Sequence, residues 1–122
     1  VNPDEIEDIE TADSYVSINC RYYIKKLAGL TERSDVDDRH FHAYALKKWV
    51  SLHQRILVSN PPVDDIKNAI KRIESLEPEL SQSDLDLMIE AQEDDNESLW
   101  GKGIRTYEQV LAESERQKGV NQ

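Results

Sequence analysis

Apolar residues recur at three- and four-residue steps along most of the chain, the spacing of amphipathic helix. Ile9, Ala12, Val16, Cys20, Tyr23 and Leu27 line one face of a first helix predicted over about residues 6–28. Tyr15, Ile18 and Tyr22 form a second stripe nearly opposite. A helix apolar on two sides is central in a bundle or meets a partner. Gly29 suits its C-terminal cap, with Lys25 and Lys26 near the negative end of the dipole.

Ser34 followed by Asp37 reads as the start of a second helix over 35–58, which stops before Asn60-Pro61-Pro62. Its apolar arc holds Phe41, Ala45, Trp49, Leu52 and Ile56, flanked by Leu46, Val50 and Leu57. Pro62 suits the first turn of a third helix, 62–76, with Val63, Ile66, Ile70 and Ile73 as its seam and Pro78 beyond its end. Ser81 or Ser83 caps a fourth helix, 82–93, with Leu85, Met88 and Ile89 facing in. Thr106 with Gln109 marks a fifth over 106–118, carrying Tyr107, Val110 and Leu111 and ending at Gly119.

The predicted fold is therefore all-α: a compact bundle of four to five helices, three longer N-terminal ones and two shorter C-terminal ones. It forms a single domain over 9–118, with 1–8 a frayed acidic N-terminus and 119–122 a loose tail. Composition agrees. Of 122 residues 38 % are hydrophobic and 33 % charged, and only four are glycine and four proline, too few turn residues for an all-β chain. One cysteine gives no intramolecular disulfide, no apolar run reaches a membrane span, and the N-terminus is acidic. A cytoplasmic protein without membrane association is expected.

Charge changes the picture more. The net charge is −10, which disfavours direct binding to nucleic acid. It is also sorted along the chain. Residues 14–72 hold eleven bases against six acids, whereas residues 73–98 hold ten acids and no base. From Arg39 to Asn60 there is no acid at all. Helices normally mix signs on their exposed side. Two surfaces follow as candidate partner-binding sites. One is acidic, with Asp84, Asp86, Glu90, Glu93, Asp94, Asp95, Glu97 and Trp100. The other is basic, with Arg39, Tyr44, Lys47, Lys48 and Arg55. The plainer alternative is that the acids of 74–97 lie over the basic helix, within one chain or across a homo-oligomer.

The remaining candidates for chemistry are weaker. His40 and His42 point apart on a helix, and His53 lies about three turns beyond His42, so the three do not make a metal site. Buried histidines bonded to backbone or water are expected instead. Glu74/Glu77 and Glu90/Glu93 are two E-x-x-E pairs, and their spacing superficially resembles that of the all-α nucleotide pyrophosphohydrolases, which implies a Mg²⁺-dependent enzyme. Glu77 precedes Pro78, however, where a helix ends, so the family is not assigned. "GKG" at 101–103 lacks the phosphate-loop pattern, and Cys20 has no general base near it in sequence. Trp100 is either a ring closing one end of the bundle or an exposed anchor ringed by acids.

These readings favour a small acidic protein with no enzymatic activity and no cofactor. It binds another macromolecule, most readily a protein, as adaptor, inhibitor or regulator, through charge-complementary surfaces. An accessory role in a phage or mobile element is in keeping with its size and acidity. The alternatives are a nucleic-acid mimic, whose carboxylates would occupy a DNA- or RNA-binding protein, and the Mg²⁺ enzyme.

Overall fold

The computed structural model describes residues 3–30, 36–93 and 97–120. Five helices follow a short 3-10 turn at Pro3–Glu5: α1 Ile9–Ala28, α2 Val36–Ser59, α3 Val63–Ser75, α4 Gln82–Glu93 and α5 Glu97–Val120. They pack as an all-α bundle, as the apolar spacing predicts. The predicted cap of α2 at Ser34 lies outside the described residues.

α1 occupies the middle and touches every other helix, which accounts for its two apolar stripes. Ala12, Val16, Tyr22, Tyr23 and Leu27 are all buried, and Trp49 of α2 is fully enclosed against this core. α3 packs on α2 and α1 through Ile66 and Ile70. Among the described residues, α4 touches α1 alone.

Local chemistry sets the ends. Asp8 caps α1, accepting the Thr11 N–H at 2.7 Å, and that bond holds its carboxyl below the usual carboxylate range. α1 therefore starts at Ile9 rather than near Ile6. Residues 3–8 lie against the bundle. Ile6 is buried, and Asp4 pairs with Lys71 of α3 at 2.6 Å. Gly29 closes α1, its N–H donating to the Lys25 and Lys26 carbonyls. Asn60, with φ at 45°, ends α2 in the left-handed region that asparagine tolerates. Ser81 and Asp84 form a reciprocal capping box on α4: Ser81 Oγ donates to Asp84 at 2.8 Å and accepts the Asp84 N–H at 3.2 Å.

The main departure is α5. It spans 24 residues, as long as α2, instead of a short helix starting at 106. Gly101 and Gly103 lie inside it, and Gly119 is helical rather than a cap. Thr106 is mid-helix, its hydroxyl donating to the Lys102 carbonyl at 2.9 Å. Gly103 is buried where α5 crosses α1, and a Cβ there would sit 2.2 Å from the Ile24 carbonyl oxygen. The glycine serves close helix approach, not a turn. α3, at 13 residues, is close in length to α4 at 12, so the long helices are α1, α2 and α5.

α4 is also rotated from its predicted facing. Leu85 and Ile89 are exposed, and Leu87, Met88 and Ala91 turn inward. Asp84 leads that inner row because Lys26 of α1 holds it at 2.8 Å. Leu57 and Val58, near the end of α2, are 67 % and 83 % exposed.

Candidate functional site

The basic surface is an open groove between α2 and α3. Tyr44, Lys48, Ser51 and Arg55 come from one side of α2, because steps of four, three and four return to the same face, and Lys47 adjoins Lys48. Arg72 joins them from α3. Leu52, Ala69 and Ile73 form an apolar floor, and Tyr44 and Ser51 add hydroxyls to the wall. The groove encloses about 500 Å³ and carries no acidic lining residue. Beyond Tyr44 it runs on into a smaller recess under Phe41 and Leu76, where Glu77 is the first carboxylate met.

Lys47, Lys48, Arg55 and Arg72 are exposed, and no ion pair engages them among the described residues. The predicted cover of this face by the acids of 74–97 is not seen for the described members of that segment. Asp84 and Glu90 turn instead to α1, Glu74 and Glu77 accept from Tyr15 and Trp49, and Glu79 and Asp86 stay exposed. Arg39 is the exception among the basic candidates. It is only 6 % exposed, and its Nε has no acceptor among the described residues, so it is no part of the open groove. One turn separates Arg39 from His42, on the side of α2 that faces the bundle.

The acidic candidates divide. Asp84 is committed internally to Lys26 and the Ser81 cap, and these hold its carboxyl well below the usual range. Asp86 is exposed and accepts from Gln82 at 3.0 Å. Glu90 is exposed with Lys25 at 3.9 Å. Asp94 and Asp95 lie outside the described residues, as do the side chains of Glu93 and Glu97. Trp100 is half-buried, with the Arg21 guanidinium 5.5 Å from its ring centroid, so it packs on α1 rather than standing free.

Sequence reasoning did not find a second cavity, of about 420 Å³, between α1, α4 and the chain joining α3 to α4. Tyr15, Glu74 and Glu77 line one part of it. The Tyr15 hydroxyl donates to Glu74, and the Trp49 indole donates to Glu77 at 2.8 Å. Burial pushes the Glu77 carboxyl above its ordinary value, while the bonds from Trp49 and Tyr23 pull it back. Burial first, then the bond to Glu74, also pushes the Tyr15 phenol up. A signal did exist: Glu77 and Pro78 stand where an apolar helix ends against the Trp49 stripe.

The other chemistry does not assemble. Glu90 sits by Lys25, away from the Glu74/Glu77 cavity, so the two E-x-x-E pairs do not converge through their described members. Among the described residues no group of three or more His, Cys, Asp or Glu side chains is placed to hold a metal. His42 bonds the Asp38 carbonyl at 2.7 Å, the backbone contact expected of it. His53 meets Ser17 at 3.2 Å and Asp13 at 3.1 Å, both at Nε2. A catalytic triad needs serine and aspartate on opposite ring nitrogens, so this is not one. Burial, and secondarily Asp13, pushes the Cys20 thiol up to about 12, which keeps it un-ionised at neutral pH.

Among the described residues no helix is long and apolar enough to cross a membrane. No protein-family model matches the chain, and comparison with curated proteins and with solved structures returns no match.

Proposed function

We propose that this chain is a non-enzymatic helical binding protein whose α2–α3 groove receives an acidic segment of a partner protein. The carrying observation is the groove itself: four exposed cations, an apolar floor and no acid along its lining. Two of the acids that follow α3, Glu90 and Asp84, pair with Lys25 and Lys26 of α1 instead. An acidic amphipathic helix would set carboxylates on the rim and apolar side chains on Leu52 and Ile73. A long nucleic acid fits less well. Beyond the groove it would run over the rest of a chain whose overall net charge is −10.

The test is fluorescence anisotropy with a labelled Glu/Leu amphipathic peptide, beside its Lys/Leu counterpart and a single-stranded oligonucleotide. The acidic peptide is expected to bind, and added salt to weaken it. The triple variant Lys47→Glu/Lys48→Glu/Arg55→Glu should keep its Tm. Exposed ion pairs contribute up to about 1 kcal/mol each, so the variant should lose about tenfold to a hundredfold in affinity. Preference for the oligonucleotide, or binding that survives the triple variant, would overturn the reading.

A further inference from the structure

The cavity between α1 and α4 is chemically two-sided. Ile18 of α1 and Leu85 and Met88 of α4 form an apolar wall. Tyr15, Glu74 and Glu77 form the polar end. Each carboxylate there is held by neutral donors, Tyr15 on Glu74, and the Trp49 indole and the Tyr23 hydroxyl on Glu77. Neutral donors fix a carboxylate in place but leave its charge uncompensated. No lysine or arginine forms an ion pair with Glu74, Glu77 or Glu79 among the described residues, and Lys48 acts on Glu77 only at a distance, as the weakest of its influences. Glu74 and Glu77 also repel one another.

We infer that this cavity is a binding site for a small organic ammonium, a primary amine carried on a short apolar body. The inference is independent of the α2–α3 groove. At about 420 Å³ the space falls in the range of small-molecule pockets, roughly 300–1,000 Å³. The ammonium has three N–H donors for the carboxylate lone pairs left open by Tyr15, Tyr23 and Trp49. Its apolar body covers Leu85, which is otherwise 42 % exposed at the cavity mouth. A bare divalent cation suits the site poorly. It needs six or so converging oxygens, and most of this wall is hydrocarbon. An anion is repelled by the two carboxylates, and a neutral alcohol leaves their charge as it was.

The experiment is a ¹H–¹⁵N NMR titration of the intact chain with phenethylammonium chloride, 2-phenylethanol and 3-phenylpropionate in turn. Phenethylammonium at millimolar concentration is expected to give saturable shifts at the amides of residues 15–19, 74–77 and 85–88. The other two probes should give none that saturate. Glu77→Gln keeps an acceptor for the Trp49 N–H while removing the charge, and should weaken phenethylammonium binding by about tenfold or more. Glu74→Gln should act in the same direction. An equal response to 2-phenylethanol shows an apolar cleft and overturns the inference. So does the absence of a saturable response to phenethylammonium, and both readings come from the unaltered chain.

Discussion

Gly103 of α5 rests on the backbone of Ile24 in α1, so close that a Cβ at 103 would lie 2.2 Å from the Ile24 carbonyl oxygen and 2.7 Å from its Cγ2. The two helices meet through this absent side chain. Gly103→Ala should gain up to about 1 kcal/mol of helix propensity and lose about 1–3 kcal/mol or more to overpacking, because the opposing atom is backbone and cannot step aside. The net expectation is destabilisation in urea unfolding. Gly101→Ala is the control. Its Cβ would meet only Arg105 Nη1 at 3.2 Å, the end of a movable side chain, so propensity wins and stability rises. Equal effects at the two positions would contradict the close crossing.

Trp49→Phe should cost about 2–4 kcal/mol, from lost core volume and from the lost donor to a half-buried carboxylate. The loss should depend on pH. Glu77 has a folded pKa raised above its ordinary 4.5, so its contribution to stability is greatest below 4.5 and is lost as pH rises through the raised value. Removing the Trp49 N–H raises that value further. The variant should thus be hurt more at pH 7 than at pH 4, and urea unfolding at the two pH values measures the difference.

Lys26→Met should show the opposite pH dependence. Lys26, with Ser81, depresses the folded pKa of Asp84 below its ordinary 3.8. That stabilisation is present above 3.8 and is lost as pH falls through the depressed value. Both side chains are partly exposed, so the cost at pH 7 is up to about 1 kcal/mol. Thermal melts of Lys26→Met and the parent chain should differ at pH 7 and converge in acid.

Much of the fold was legible in the apolar spacing, because a buried helical stripe must repeat every three or four residues whatever surrounds it. The stripes of α1 and α2 place Val16, Leu27, Trp49 and Ile56 in the core where they are found. Pro62, Ser81 and Gly29 mark ends through local chemistry. What failed depended on neighbours. Glycine reads as a break unless one knows that another backbone lies against it, so Gly101 and Gly103 hid the first turns of α5. The facing of α4 goes with the Lys26–Asp84 ion pair, which joins residues 58 apart along the chain. The open groove was legible as a run without acids. Arg39 was not, because burial at the start of α2 is set by what packs there. The Glu74/Glu77 cavity needed three separate segments brought together, which no spacing within one segment records.

The central place of α1 has a consequence for how the chain can change. A substitution almost anywhere around α1 is felt by another helix, since all four touch it, while α4 answers to α1 alone among the described residues. Sequence drift should therefore be slow around the whole circumference of α1 and fast on the outer side of α4, where Asp86, Ile89 and Glu90 face solvent. New surface properties can be acquired on α4 without renegotiating the core, and α1 is the segment by which a distant descendant of this chain would still be known.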